Sequence, residues 1–432
     1  MPIFWGVAKE TTSIIKKDLE FSSSSKEVDI FLWTTAAALD LIGEAGLGYS
    51  FNSFSGQRDE YSTAIKKAKQ SLAKLAPLIQ LLPYVHRIGT SGFRQWIMDI
   101  IPSSTIQKLR RATKVQNEQA EEIIRARQEL LSAGKDLSSE TGRGKDIMTL
   151  LIKARESEGA ESYIDRQSMI GHMNIFIFAG HEPMRYSLEG KQINMVIISD
   201  DSASITRILD LLAQHTSIQD RLREELRHYF ESNRDEVHHD ALLELPYLDG
   251  IVRESLRLFP PVSNIPRVCV EDTILSLDCP IDTPSGRVTS VPVKKGTMVF
   301  LNNVYFNRNK AIWGERANDF LPERWMEKKI DEVTEVGSRL PGIYSSMMTF
   351  GSGSYACISS LIVLDGSRGF KFAVMEIKVM LAELVTSFRF EPANEECTWV
   401  NIGLGLPYAP YLKKELNNAD KSPKFFLKVS KL

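Results

Sequence analysis

Met348-Thr349-Phe350-Gly351-Ser352-Gly353-Ser354-Tyr355-Ala356-Cys357-Ile358 is the stretch on which the rest of the chain turns, because it sets one cysteine behind a glycine-rich turn. Gly351 and Gly353 can take positive φ and let the backbone pass close to a flat cofactor, while Phe350 offers an aromatic wall beside the sulfur. A cysteine so placed reads as a metal ligand. The same pattern also describes a buried, inert thiol in a Gly/Ser loop, and the residues upstream are what separate the two readings.

Upstream, Glu254-Ser255-Leu256-Arg257 sets a carboxylate and a guanidinium one turn apart within RESLRLFPP. Most such pairs on helices are surface ion pairs of small energetic value. Here the neighbours Ile251, Val252, Leu256 and Leu258 favour burial, and a buried arginine needs planar acceptors. Phe320-Leu321-Pro322-Glu323-Arg324-Trp325 then brings a second arginine. Glu254, Arg257 and Arg324 can form a buried triad under the cysteine loop.

The chain has 432 residues, a hydrophobic content of 43% and a formal net charge of −2, from 53 Lys+Arg against 55 Asp+Glu. Such a balance gives no basic field for nucleic acid and points to a small-molecule partner. Length alone allows two or three domains, but large helical enzymes of this size can form one body with a small sheet, and one domain over 1–432 is expected. The four cysteines, Cys269, Cys279, Cys357 and Cys397, are too scattered for a disulfide framework or a C-x-x-C zinc pair, which fits a reducing compartment. His86, His172, His181, His215, His228, His238 and His239 lack metal spacing. No wholly apolar run of about 18 residues occurs, so no membrane span is expected. The opening Met1-Pro2-Ile3-Phe4-Trp5 lacks a leader's basic-then-apolar order and looks like a truncated start.

Apolar spacing of three and four residues predicts helices over Pro2 to about Phe21, Val28–Tyr49, Tyr61–Ala76, Ile106–Leu131, Gly144–Arg155, Ser202–Phe230, Leu245–Leu258 and Phe370–Phe388. Ser168–Ala179 is apolar nearly all round, as a central helix would be, and ends in Ala179-Gly180-His181-Glu182. Leu72–Val85 and Trp96-Ile97-Met98 are apolar enough to touch a membrane or line a substrate entrance, with core packing as the favoured reading. The charged run from Lys108 to Arg127 mixes both signs and reads as a solvated helix face. From Arg267 the period becomes alternating, through Val268-Cys269-Val270, Thr273-Ile274-Leu275, Val288–Pro292 and Thr297–Leu301, which predicts a small antiparallel sheet. The polar tail after Lys413 reads as irregular.

The order E-x-x-R, then P-E-R-W, then F-x-x-G and a cysteine resembles the cytochromes P450, haem-thiolate monooxygenases, and their fungal secondary-metabolism members in particular. The resemblance runs over nearly the whole chain. It implies a mainly α fold with a small antiparallel sheet (α+β), lacking the family's N-terminal part. It implies that Cys357 is the axial ligand of haem b iron, with Phe350 and Gly353 beside it. Glu254, Arg257 and Arg324 would be the structural triad, Arg267 would pair with a haem propionate, and Glu182 would stand in the proton-delivery position. The reaction implied is insertion of one oxygen atom of O2 into a small lipophilic substrate, the other leaving as water. Electrons would come from NADPH-cytochrome P450 reductase, since no flavin or nicotinamide fingerprint occurs here. The family implies a monomer at the endoplasmic-reticulum membrane, although this chain carries no anchor.

Departures from the family pattern stand beside the matches. Tyr355 and Ser359 hold the positions of the family's loop arginine and final glycine, and a tyrosine can donate one hydrogen bond without charge. Lifting out Ser359–Arg368 joins Ile358 to Gly369-Phe370-Lys371-Phe372-Ala373 and restores the family's junction between cysteine and helix, whose N-terminal dipole steadies a thiolate. Pro183-Met184-Arg185 replaces the family's Thr-Thr, and removing about Pro183–Asp201 rejoins Glu182 to Ser202-Ala203-Ser204. Ser202 or Ser204 could then supply the relay hydroxyl. Segments 183–201 and 359–368 are therefore expected insertions, from retained introns or as a lineage-specific loop pair. The alternative to an active monooxygenase is a non-catalytic remnant with impaired haem binding.

Overall fold

The computed structural model describes residues 2–20, 25–54, 71, 75, 88–132, 166–167, 169–171, 173–174, 201–233, 239–284, 286–326, 333–334, 340–352, 370–401, 408–418 and 422–432. Helix α1 (Pro2–Glu20) is followed by strand β1 (Ser25–Asp29), helix α2 (Ile30–Leu41) and a π-helical turn over Ile42–Leu47. Next come α3 (Ser91–Ile100), α4 (Ser104–Ser132), α5 (Asp201–Gln214), α6 (Thr216–Ser232), α7 (His239–Leu243) and α8 (Pro246–Leu258). The sheet-rich part holds β2 (Asn264–Val268), β3 (Thr273–Thr283), β4 (Gly286–Val293) and β5 (Met298–Asn302). Short helices α9 (Asn303–Asn307) and α10 (Lys310–Trp313) precede the hairpin β6 (Gly342–Tyr344) and β7 (Met347–Ser352). Helix α11 (Phe370–Ser387) leads into β8 (Phe388–Pro392), β9 (Cys397–Asn401), β10 (Tyr408–Leu412) and β11 (Phe426–Lys431).

The core forms where α1, α2, α5, α6, α8 and α11 turn their apolar faces inward, and it includes Phe4, Leu41, Leu209, Leu226, Ile251, Met380 and Phe388. Helix α11 is apolar through most of its length because it runs through the middle of this core, where its Ala373, Ile377, Leu381 and Val385 are buried. A second cluster joins Leu39 and Ile42 to Ile123 and Ile124 of α4 and to Met169, Ile170 and Met173 of the expected central helix, which are buried. Helix α2 is tied to α5 by a hydroxyl pair, Thr34 Oγ1 to Thr206 Oγ1 at 2.8 Å.

All described strands pair antiparallel, in one three-stranded sheet, β1-β11-β8, and four two-stranded pairs. The hairpin β3–β4 closes with Thr283 opposite Gly286, within the antiparallel sheet that the sequence predicts, and β2 pairs with β5 through Ile265↔Leu301 and Arg267↔Val299. Met298, Phe300 and Leu301 of β5 stay exposed, and among the described residues β5 pairs with β2 alone.

Four expectations need correction. The predicted helix over Val28–Tyr49 begins as strand β1, and the tail read as irregular contains β11, its partner: Val28 faces Leu427 across the ladder. Neither strand has a strong period of its own; the pairing joins the two ends of the chain and overrides local propensity. The helix expected over Ser202–Phe230 is two, broken at His215 (φ −120°, ψ 74°). Buried Gln219 makes the corner possible, its amide donating to Leu212 O and Phe390 O at 3.0 and 2.9 Å. Trp96, expected in the core, is 55% exposed on α3, stacked on Phe93 at 6.1 Å. Finally, Ile30–Leu47 is long and apolar enough to cross a membrane by length and composition, although two-thirds of it is buried within the protein. Apart from Ser71 and Leu75, both helical, the helix expected at Tyr61–Ala76 lies outside the described residues, as do that at Gly144–Arg155 and most of Leu72–Val85.

Candidate functional site

Helix α8 presents Glu254 and Arg257 on its buried side, and both side chains are 0% exposed. The guanidinium grips the carboxylate as a fork, Nε to Oε2 at 2.9 Å and Nη2 to Oε1 at 2.8 Å. Burying such a pair costs desolvation on both sides unless every remaining lone pair and proton is used. Here they are. Glu254 also accepts from Arg324 Nε (3.2 Å), Trp325 Nε1 (2.9 Å) and the amide of Leu321 (3.2 Å). Arg257 donates Nη1 to Asn307 O and Ala317 O, both at 2.7 Å, with Trp313 lying against its face at 5.1 Å. Arg324 reaches this point because the Pro322–Trp325 turn packs onto α8 at Gly250, where a Cβ would stand 2.6 Å from Pro322 O. The structure thus brings Glu254, Arg257 and Arg324 together.

Asn307 extends the network to the hairpin. Its backbone oxygen takes Arg257, its Oδ1 accepts from the amide of Met348 at 2.8 Å, and its Nδ2 donates to Thr349 Oγ1 at 2.9 Å. Thr349 in turn donates to Leu256 O at 2.7 Å. Asn307 is not legible in the sequence because a bridging amide has no pattern; its one signal is a polar residue after two aromatic ones, Tyr305-Phe306-Asn307.

Strand β7 then carries Phe350 into a buried aromatic group. Its ring lies 5.4 Å from Tyr344 and 5.8 Å from Phe370, the first residue of α11. Gly351 follows at φ +77°, a conformation that only glycine adopts freely. Phe350, near the end of β7, and Phe370, where α11 begins, thus share one aromatic group. Cys357 and Gly353 belong to 353–369, and Glu182 to 175–200; all three lie outside the described residues, as do both expected insertions apart from Asp201.

Arg267 sits half-buried on β2, away from the triad's hydrogen bonds, its Nη1 donating to Pro266 O at 3.2 Å. At the start of α5, Ser202 and Ser204 are both buried, and the Ser204 hydroxyl has no hydrogen-bond partner among the described residues. Among the described residues no group of three His, Cys, Asp or Glu could hold a metal ion. The aromatic wall at Phe350 and the glycine at positive φ that follows it are compatible with the close approach of a flat cofactor.

The described residues thus form a mainly α fold with small antiparallel pairs, in which a buried E-x-x-R network is wired to the strand that precedes the cysteine in sequence. Comparison with known proteins gives it a family. The family model described as Cytochrome P450 matches residues 2–190 and 201–411. "Cytochrome P450 monooxygenase 91" of Postia placenta is 34% identical over 410 residues, covering 94% of this chain and 70% of that protein. "Ganoderic acid synthetase CYP5150L8" of Ganoderma lucidum is 31% identical over 438 residues, covering 100% of this chain and 73% of that one. A crystal structure of a cytochrome P450 superposes with a TM-score of 0.62 at 18% identity, covering 99% of this chain and 73% of the other. The chain belongs to the cytochrome P450 family, whose members are haem enzymes that draw on a redox partner, a substrate and O2.

Proposed function

We propose that the chain binds haem b through the Cys357 thiolate and places one atom of O2 into a small lipophilic substrate, with electrons from NADPH-cytochrome P450 reductase. The observation that carries this reading is the run of bonds from Glu254 and Arg257 through Asn307 to Met348 and Thr349. A fully satisfied ionic cluster of that kind fixes β7, and β7 is the approach to Cys357. When bound, haem supplies the oxygen-activating chemistry. The protein's share is to hold it and to manage protons and water. Cys357 would be the axial ligand, Phe350 the wall beside it, and Gly353 the point of close backbone approach. Arg267 would meet a propionate, and Glu254, Arg257 and Arg324 would be the structural triad. Glu182 would hold the proton to be delivered, with the spare hydroxyl of Ser204 as its relay on α5.

Residues 1–432 are read as one domain in which 183–201 and 359–368 are insertions. The family model's break at 191–200 supports the first of these. Identities of 34% and 31% to proteins named as a monooxygenase and a synthetase favour an enzyme over a non-catalytic remnant. An endoplasmic-reticulum location is supported by α3, which exposes Phe93, Trp96, Met98 and Ile100, the apolar and aromatic mix that settles at a lipid interface. A monomer is expected.

The test is a carbon-monoxide difference spectrum of the reduced, haem-supplemented chain beside Cys357→Ala. A red-shifted Soret band, lost in the variant, is the expected result. Absence of haem uptake by the unaltered chain would overturn the proposal.

A further inference from the structure

One arginine beside the ionic network has no acid of its own. Arg308, just after α9, is half-buried, and its Nε and Nη2 both donate to Leu258 O at the end of α8. Glu254 is already shared by Arg257 and Arg324. Asp210 is taken by Arg207 Nη1 and Trp399 Nε1, both at 3.3 Å, and by Gln214 Nε2 at 2.5 Å. Among the described residues no carboxylate pairs with Arg308; burial, and then repulsion by Arg257, push its guanidinium below the ordinary arginine range. Ile402-Gly403-Leu404-Gly405-Leu406-Pro407, which precedes Tyr408 in sequence, contains no acid either. Arg207 lies over the ring of Trp399 at 3.7 Å and over that of Phe259 at 4.5 Å, and Arg308 lies 4.8 Å from the same Phe259 ring. One aromatic ring thus carries two guanidiniums. Burial pushes Arg207 down to about 10 against the pull of Asp210, and Arg308 acts in the same direction as burial. The Tyr408 phenol is close enough to act on both charges, and its amide donates to Pro261 O at 3.1 Å in the bend that leaves α8.

We propose that Arg308, with Arg207 and Tyr408 beside it, forms a binding site for a carboxylate carried on an apolar or aromatic body. A charge that burial penalises and that no acid answers favours an anion from outside. Arg308 Nη1 has no acceptor among the described residues, and the flat edge of a guanidinium suits a planar carboxylate. Arg207 and Arg308 against the single carboxylate of Asp210 leave one positive charge over, which a monoanion balances and a phosphate dianion overshoots. Phe259, Trp399 and Tyr408 are each half-exposed, so an apolar body has rings to lie on. An acid held there screens Arg308 from Arg207 and Arg257 and fastens the bend between α8 and β2 to β10. The proposal is independent of the haem reading.

Calorimetric titration of the full chain with phenylacetate is the test, with phenylacetamide as the neutral isostere and inorganic phosphate as the dianion. Phenylacetate is expected to bind about tenfold more tightly than phenylacetamide, because the amide forgoes the charged hydrogen bond, and to raise the thermal unfolding midpoint as its concentration rises. Arg308→Gln should lower phenylacetate affinity about tenfold, and Tyr408→Phe, which removes one neutral donor, about threefold. Arg287→Gln, at an exposed position on β4, should leave it unchanged. Arg308→Lys keeps the charge without the planar edge and should bind with intermediate affinity; with Tyr408→Phe it carries the test if Arg308→Gln fails to fold. Equal affinity for phenylacetate and phenylacetamide would overturn the proposal, as would phenylacetate binding that the Arg308 and Tyr408 variants leave unchanged. Phosphate binding more tightly than phenylacetate would overturn the carboxylate assignment.

Discussion

Replacing Arg257 with methionine gives a direct measure of what the buried network contributes. Methionine keeps much of the volume and removes five donors. Glu254, fully enclosed, would be left with Arg324, Trp325 and the Leu321 amide, and the carbonyls of Asn307 and Ala317 would lose their partner. Breaking a buried pair by removing one member costs about 3–5 kcal/mol, and each stranded carbonyl adds roughly 1 kcal/mol or more. A loss on the order of 5 kcal/mol is a large part of the ~5–15 kcal/mol by which domains are stable. With a urea slope of about 3 kcal/mol per molar, the unfolding midpoint should fall by about 1.5–2 M. Trp313 and Trp325, with rings 5.9 Å apart beside the network, make tryptophan fluorescence a local reporter. The paired change Glu254→Leu with Arg257→Met should be less destabilising than Arg257→Met alone, because apolar replacement of both partners removes the stranded charge. A midpoint shift below about 0.3 M for Arg257→Met, or a double variant that loses the sum of both single changes, would refute the reasoning.

Gly250→Ala should force the Pro322–Trp325 turn off α8, since the new methyl meets backbone rather than a yielding side chain; a thermal unfolding scan should show a loss of about 1–3 kcal/mol. Burial pushes the Asp40 carboxyl up to about 6 from its ordinary 3.8, against the opposing bonds from Ser53. The folded chain then holds a proton that the unfolded chain has released, so the stability tied to that proton is complete at low pH and lost as pH rises through 6. The gap of about two units corresponds to roughly 3 kcal/mol, and Asp40→Asn should flatten urea midpoints between pH 4.5 and 7.5; unchanged slopes would count against it. Trp96→Ser on α3 should weaken binding to phospholipid vesicles about tenfold, since burial of one large aromatic contributes ~1.5–3 kcal/mol; equal vesicle binding would remove α3 from the interface.

Legibility followed the range of the interactions. Helices α1, α4, α8 and α11 were readable because their apolar stripes recur within a few residues, and the hairpin β3–β4 because Gly286 marks its turn. Glu254, Arg257 and Arg324 could be grouped because the E-x-x-R and P-E-R-W strings are themselves local. What escaped was whatever depends on residues distant in sequence. β1 becomes a strand only opposite β11, about four hundred positions on. Gln219 breaks a helix only because Phe390 O lies within reach. Asn307 matters because Arg257 and Met348 converge on it. Trp96 misled for the opposite reason: an apolar triplet is the same string whether it faces a core or solvent.

The pair β2–β5 also bears on how the chain behaves among copies of itself. The two strands differ at their rims: β2 carries Pro266 and Arg267, while β5 reads Met298-Val299-Phe300-Leu301-Asn302, with no charge and no proline. Proline and charge are the ordinary guards against a foreign strand adding to a sheet, and an uncharged apolar rim lacks them. At high concentration, or during refolding, growth of intermolecular sheet should start from Met298–Asn302. Among the described residues, colloidal loss is then tied to this five-residue border rather than to how firmly the ionic network holds the interior.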